Sequence, residues 1–180
     1  MKRTAADTTT TTTTIGAEAP ALHPETRIGH VHLKVSDLDR SVAFYRDALG
    51  FDVMQRYGDQ AAFLSAGGYH HHIGLNTWES RGGRRPQPGS IGLYHAAILY
   101  PTRRELARAL QRLLQHGVRL GGASDHGVSE ALYLDDPDGN GLELYWDRER
   151  ENWPVDANGE LRMTTLPLDL HDLLAELDSE

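Results

Sequence analysis

The sequence predicts an α+β fold in which two βαβββ modules pair into a curved, partly closed eight-stranded sheet that encloses a metal cleft. Strand-like alternation, a capped helix and three further strands occur twice in the same order. A glycine ends the helix in each copy, at Gly50 and at Gly117. One copy of about 55 residues is too small to close a sheet on itself, so the two copies are expected to pair. We therefore infer an internal duplication.

The first module is assigned to residues 27–80. Ser36 and Asp37 follow an alternating β-branched segment and offer an N-cap for a helix. Glycine pairs separate the later strand candidates as turns. The predicted strands are residues 28–35, 51–57, 61–65 and 70–78, and the predicted helix carries Leu38, Val42, Tyr45 and Leu49 on one face.

The second module is assigned to residues 91–147. Thr102 and Glu105 form a capping-box pattern at the start of its helix. The segment 136–141, with the sequence DPDGNG, is interpreted as a turn. The predicted strands are residues 91–99, 118–120, 131–134 and 141–146, and the helix carries Leu106, Leu110, Leu113 and Leu114.

Both ends of the chain differ from the modules. Residues 1–26 include seven consecutive threonines and have no apolar periodicity, so we expect a disordered tail. The two modules together define a domain over residues 27–150. Residues 151–180 form an extension that ends in a short amphipathic helix, which we expect to cover a sheet edge or to join a dimer contact.

Composition excludes several classes of function. The 180 residues contain no cysteine, which rules out disulfides, iron–sulfur clusters and cysteine nucleophiles. The net charge of −8 argues against nucleic acid as a partner. No apolar stretch approaches the roughly 20 residues of a membrane helix. We expect a cytoplasmic protein with no membrane partner, and its ten histidines are the unusual feature.

Equivalent positions of the two modules converge on one point. His30 and His95 occupy matching places on the first strand of each module. Glu143 and Gly74 occupy matching places on the last strands. Pairing of the modules therefore brings two imidazoles and one carboxylate together, with a position that has no side chain as the fourth corner. This combination of donors favours a metal site.

Several motifs resemble the vicinal oxygen chelate superfamily, which includes glyoxalase I, fosfomycin and bleomycin resistance proteins and extradiol dioxygenases. The resemblance covers residues 28–146. It is carried by HVHLKVSDL at 30–38, by FY at 44–45 and LG at 49–50, and by DPDG at 136–139 before Glu143. Two further segments, HHHIGLNTW at 70–78 and DHGVSEA at 125–131, resemble the catechol 2,3-dioxygenase-like branch.

The resemblance implies a reaction and a set of site residues. It implies an Fe(II) site held by His30, His95 and Glu143, with Mn(II), Ni(II) and Zn(II) as alternatives. It also implies ring cleavage of a catechol-like aromatic by O2 in a homodimer. The implied catalytic residues are His71 as the acid–base group, His126 as a substrate contact, and Tyr133. Strand alternation instead places His70 and His72 on the face of Gly74 and His71 on the other, unless a bend intervenes.

Two other functions compete with this interpretation. A glyoxalase-like isomerase or lyase would need a fourth protein ligand, which Gly74 cannot provide. A protein that binds an antibiotic or another small molecule without catalysis would have no need of His30, His95 and Glu143 together. Extradiol enzymes of this type also carry two paired halves, whereas this chain carries one module pair.

Overall fold

The first module forms one sheet of four strands. A computed structural model describes residues 21–178, so residues 1–20 of the predicted tail lie outside the described residues. The strand order is β1-β4-β3-β2, with β1 parallel to β4 and the other neighbours antiparallel. The strands are β1 (Val31–Lys34), β2 (Asp52–Tyr57), β3 (Ala61–Ser65) and β4 (Ile73–Asn76).

The second module repeats this arrangement and gains one strand. Its order is β5-β8-β7-β6-β9, with β5 parallel to β8. The strands are β5 (Ala96–Leu99), β6 (Leu120–Asp125), β7 (Ser129–Asp135), β8 (Gly141–Asp147) and β9 (Leu166–Pro167). The C-terminal extension supplies β9, which pairs with the β6 edge. The short helix that was expected to cover a sheet edge or to join a dimer contact packs on the second helix instead, so the edge is covered by a strand and not by the helix.

The helices cover one face of each sheet. Helix α1 (Leu38–Ala43) continues into a π-helical turn, and α2 (Arg103–Gln115) begins at the predicted cap Thr102, whose side chain accepts from the Glu105 amide. Helix α3 (Leu170–Ala175) packs on α2 through the fully buried Leu173. Among the residues 21–178, no helix is both long enough and apolar enough to cross a bilayer.

Some predicted bounds were wrong. The strand predicted at 118–120 runs instead from Leu120 to Asp125, because Gly121 and Gly122 lie in a β-bulge rather than in a loop. The first strand of each module starts later than predicted, at Val31 and at Ala96. On α2, Leu114 is 54% exposed and does not join the buried face.

The two sheets are separate in the described part of the chain. Strands β1 and β5 each lie at a sheet edge and are not hydrogen-bonded to one another. The α+β class and the two repeated modules are therefore observed, whereas the single partly closed sheet of eight strands stays a prediction.

The turn at residues 136–141 joins the modules. Asp138 accepts hydrogen bonds from the amide and hydroxyl of Ser36, at 3.1 and 2.6 Å, and pairs with Arg40. Burial raises the pKa of Asp138, but the bonds from Ser36 and the charge of Arg40 outweigh this and lower it. The buried Asp136 accepts from the Tyr45 hydroxyl at 3.1 Å. A segment interpreted from sequence only as a turn therefore fixes the second module on the first helix.

The raised pKa of Tyr100 implies that the folded protein loses stability at alkaline pH. Burial raises its pKa to about 12, from about 10 in an unfolded chain. Between these values the unfolded state has released the proton and the folded state has kept it. Stability therefore falls by about 1.4 kcal/mol per pH unit for this group as the pH rises from 10 to 12. We expect Tyr100→Phe to reduce the slope by that amount in urea unfolding at several pH values.

The control for this prediction is Tyr57→Phe. It also removes a tyrosine hydroxyl, but Tyr57 is 68% exposed, whereas Tyr100 is partly buried against the core. An unchanged slope in Tyr100→Phe, or an equal change in both variants, would contradict the assignment to Tyr100.

Candidate metal and acid–base site

His95 and Glu143 meet where the edge strand β5 begins beside β8 in the second sheet. His95 directly precedes β5, and Glu143 lies on β8 beside Ala97. The alternation of β8 buries Leu142 and Leu144 at 0–1% exposure and turns Glu143 to the opposite face. The His95 Nε2 atom lies 2.9 Å from Glu143 Oε2. Two of the three predicted metal ligands are therefore in contact.

Tyr133 and His126 extend this pair into a line of four side chains. Tyr133 lies opposite Glu143 in the β7–β8 register, and its hydroxyl donates to Glu143 Oε1 at 3.0 Å. The Nε2 atom of His126 lies 2.7 Å from the same hydroxyl. Burial, together with the adjacent Glu143 carboxylate, raises the pKa of Tyr133 to about 12. The structure thus brings two predicted catalytic residues to the predicted ligands His95 and Glu143.

The donor chemistry of His95 and Glu143 fits a divalent metal. The contact between His95 Nε2 and Glu143 requires a proton between the two atoms, and a cation could take the place of that proton. The other ring nitrogen, Nδ1, is buried without a hydrogen-bond partner. Within residues 21–178, however, no three His, Asp or Glu side chains are close enough to hold an ion together.

The third predicted ligand, His30, lies with the first module. It directly precedes β1, at the edge of the first sheet, and its ring centroid is 4.4 Å from that of His71. His30 and His95 nevertheless line one cavity of about 990 Å³. His95 and Tyr133 line a neighbouring cavity of about 810 Å³. His95 therefore borders both cavities, and His30 borders the larger of the two.

The three consecutive histidines face different surroundings. Strand β4 begins only at Ile73, so residues 70–72 lie in a bend where strand alternation does not apply. The ring of His71 packs against His30 and also against Phe63, at 5.0 Å between centroids. His72 contacts the Ser65 hydroxyl through Nδ1 at 3.1 Å. The bend turns the His71 ring toward the predicted ligand His30, whereas His72 lines the cavity that His30 and His95 share, so the choice of His71 stays a prediction.

Desolvation and neighbouring imidazoles lower the pKa of His71. Partial desolvation is the main cause, and the nearby His30 and His70 add to it. The Nδ1 atoms of His70 and His71 are 2.8 Å apart, which leaves room for one proton between them. His71 is therefore held toward its neutral form, the form that an acid–base group needs to accept a proton.

The predicted open corner at Gly74 is covered by a side chain. A Cβ atom at Gly74 would lie 2.9 Å from the ring of His32. Strand β4 lies between β1 and β3, and Gly74 pairs with both His32 and Phe63. The missing side chain lets these two rings approach to 5.9 Å across the strand. The glycine thus makes room for an aromatic contact, and His32 packs against Phe63 and Trp78.

One partner in the site was missed by sequence reasoning. The backbone oxygen of Thr164 lies 2.8 Å from His126 Nδ1. A backbone carbonyl is present at every residue and is separated here by 38 positions from its partner, so no sequence pattern could have identified it.

Fold and site together define the class of protein: a duplicated βαβββ protein with a histidine–carboxylate site on its second sheet. Residues 27–144 match the Glyoxalase/Bleomycin resistance protein/Dioxygenase superfamily, and the chain belongs to this superfamily.

Relatives with known names are longer than this chain. It is 44% identical over 160 residues to a catechol-2,3-dioxygenase of Bacillus subtilis strain 168, covering 89% of this chain and 55% of that protein. It is 34% identical over 124 residues to biphenyl-2,3-diol 1,2-dioxygenase 3 of Rhodococcus globerulus. This match covers 67% of this chain and 63% of that protein. The chain therefore spans a little more than half the length of these relatives.

Solved structures support the fold. A glyoxalase/dioxygenase from Nostoc punctiforme aligns with a TM-score of 0.59 at 19% identity, over 74% of this chain and 100% of the other. A glyoxylase/bleomycin resistance protein/dioxygenase domain from Frankia sp. EAN1pec aligns with a TM-score of 0.57 at 26% identity. This alignment covers 68% of this chain and 98% of the other. Nearly the whole of each neighbour superposes on the chain.

Proposed function

We propose that this protein is a metal-dependent extradiol-type dioxygenase that cleaves the ring of a catechol-like aromatic with O2. The observation that carries the proposal is the line from His126 through Tyr133 and Glu143 to His95. It places acid–base groups next to a carboxylate and an imidazole on one sheet. The names of the two relatives, which act on catechol and biphenyl-2,3-diol, support a vicinal diol as substrate.

His30, His95 and Glu143 would hold the metal, with Fe(II) proposed and Mn(II), Ni(II) or Zn(II) as alternatives. A bound metal would supply Lewis acidity toward a catechol hydroxyl and redox chemistry toward O2. For this, His30 must approach His95 across the cavity that both line. We propose that β1 and β5, each an edge strand of its sheet, come together and close the cleft.

The other side chains would bind and orient the substrate. Tyr133 and His126 would hydrogen-bond one substrate oxygen from the second module. His71, kept toward its neutral form by burial and by neighbouring imidazoles, would accept a substrate proton from the first module. Apolar residues of the larger cavity, including Leu93 and Ile98, would contact the ring and exclude water.

We propose a homodimer in the cytoplasm. Ile28, Ile91 and Tyr94 are 90% exposed or more, and they lie in the segments that lead into β1 and β5. Exposed apolar side chains of this kind favour contact with a second copy of the chain.

Metal analysis and oxygen uptake test the function. Protein purified without oxygen and loaded with Fe(II) should bind one iron per chain, consume O2 and form a yellow product with a panel of catechols. Loading with Mn(II), Ni(II) or Zn(II) identifies the metal. Iron binding without O2 uptake across the panel would contradict the proposal, and isomerase activity with Ni(II) or Zn(II) would favour the glyoxalase-like alternative.

A further inference from the structure

The C-terminal extension makes close contact with one residue of the proposed site. The strap, residues 154–167, passes beside His126 at the end of β6. The Thr164 amide donates to the His126 carbonyl oxygen at 3.0 Å, and the Thr164 carbonyl oxygen lies 2.8 Å from His126 Nδ1. One residue of the strap therefore binds both the backbone and the ring of His126.

The chemistry of this contact fixes the ring. A carbonyl oxygen can only accept a hydrogen bond, so the Nδ1 atom of His126 must carry the proton. The ring then has its Nε2 atom directed at the Tyr133 hydroxyl, 2.7 Å away. In the neutral ring this Nε2 is an acceptor, so the single Tyr133 proton is shared between His126 Nε2 and Glu143 Oε1. In the protonated ring Nε2 donates to the hydroxyl, which then donates to Glu143. With the opposite tautomer, the Nδ1 atom would place a lone pair against the lone pairs of the carbonyl.

The strap is anchored on both sides of Thr164. Toward the C-terminus, Leu166 and Pro167 pair with β6 as strand β9. Toward the N-terminus, Pro154 packs over Gly127, the residue after His126. The Thr164 hydroxyl also donates to the carbonyl oxygen of Asp125 at 3.4 Å. The Thr164 carbonyl, which accepts the hydrogen bond from His126 Nδ1, is therefore held to the same sheet that carries the His126 ring.

A chain of ion pairs anchors α3, which follows the strap. Arg103 pairs with Glu130 at 2.8 Å and with Asp172 and Glu176 of the C-terminal segment at 2.7 Å each. Glu130 is 4% exposed, so these ion pairs are partly shielded from water. On the other side of Glu130, Arg148 continues the chain to Asp125 at 2.7 Å. The network thus runs from α3 to the residue next to His126.

We propose that the strap is a positioning element for the reaction. Through the Thr164 carbonyl it fixes His126 in the Nδ1–H tautomer and keeps Nε2 facing Tyr133. This role rests on the proposed function only in what His126 does with substrate, because the tautomer is a property of the protein alone. The strap lies beyond residue 144, where the match to the superfamily model ends.

Nuclear magnetic resonance of the histidine side chains tests the proposal on the full-length protein without metal or substrate. The ¹⁵N resonances of His126 are assigned by their loss in His126→Asn. At the alkaline end of its titration, the ring should be entirely in the Nδ1–H form. A predominant Nε2–H form, or a mixture of both, would overturn the proposal in the wild-type protein itself.

Gly127→Ala displaces the strap. The added Cβ would lie 2.8 Å from Pro154 Cγ and 3.3 Å from the Thr164 hydroxyl oxygen, so the strap must move. The expected result is a mixture of tautomers at His126. Gly117→Ala is the matched control, because Gly117 also has a positive φ, +64° against +76°, but no atom lies within 4 Å of an added Cβ. A complete Nδ1–H form retained in Gly127→Ala would overturn the role of the strap.

Kinetics then connect the tautomer with turnover. In Gly127→Ala, kcat for ring cleavage should fall about 10-fold relative to its value in Gly117→Ala. A positioned acid–base group contributes roughly 10²–10⁴-fold to a rate, and the mixture of tautomers should remove part of that contribution. KM should change little, since the strap does not line either cavity. Absence of ring cleavage in the wild type, with the Nδ1–H form present, would refute the proposed function and leave the positioning intact.

Discussion

The Glu143→Ala variant is expected to lose metal binding and ring cleavage together. Glu143 is the only carboxylate in the proposed ligand set, and its Oε2 atom lies 2.9 Å from His95. Its loss removes the negative charge that would balance the cation. Substitution of residues that only support a ligand weakens metal binding by about 10- to 100-fold, so loss of a ligand should exceed about 100-fold. Metal content after dialysis and O2 uptake measure the two effects.

The control for this variant is Asp135→Asn, which removes a carboxylate that lines the neighbouring cavity but lies at the end of β7. It should bind metal as the wild type does. Normal metal content in Glu143→Ala would refute the ligand set. Equal losses in both variants would assign the effect to the overall charge of the cavity.

The Asp136→Ala variant should lose about 1–3 kcal/mol of unfolding free energy, because removal of this buried carboxylate leaves buried hydrogen-bond donors without a partner. Asp136 is 1% exposed. It accepts from the Tyr45 hydroxyl, from the Asp138 amide and from the amide and side chain of Asn140. Without it the hydroxyl of Tyr45, a residue at 0% exposure, has no partner in the interface between the modules. Urea unfolding monitored by circular dichroism measures the loss.

Asp156→Ala provides a matched comparison. Asp156 accepts from the amides two and four residues later, as Asp136 does, but it lies in an exposed turn. Its substitution removes the same local bonds without a contact between modules, so the loss of stability should be much smaller. Similar losses in the two variants would mean that turn formation, and not the bond to Tyr45, accounts for the effect.

Burial of Tyr45 agrees with this interpretation. Desolvation, and then the charge and hydrogen bond of Asp136, raise the pKa of Tyr45 well above its ordinary value. The hydroxyl therefore keeps its proton and donates to Asp136 throughout the neutral range. The bond links the π-helical turn that continues α1 in one module with the turn before β8 of the other.

Local patterns predicted much of the fold. The caps Asp37 and Thr102 both accept the expected backbone hydrogen bond, because a cap and its helix are neighbours in sequence. The repeated order of elements is observed, and His95 and Glu143 meet as the repeat had indicated, whereas His30, the third residue of that prediction, contacts His71 of the first module. Tyr133 and His126 extend the contact, and their roles stay predictions. Their meeting depends on strand register, which the alternation of β7 and β8 sets.

Other features depend on contacts that no local pattern reports. Residues 70–72 have strand-like neighbours, yet the strand begins at Ile73, and this bend alone decides that His71 faces His30. Strand β9 has only two residues and forms because the β6 edge is present to pair with it. Gly74 gains its role only from the rings of His32 and Phe63 on the two flanking strands.

The sequence by itself determined the duplicated α+β architecture and the residue types of the site, since periodicity and caps act within a few residues of the chain. Only the tertiary structure decided which side chains each histidine contacts, how Asp136 joins the modules, and how Thr164 orients His126. These depend on buried hydrogen bonds between segments 38 to 91 positions apart, whose strength comes from exclusion of water in the folded state.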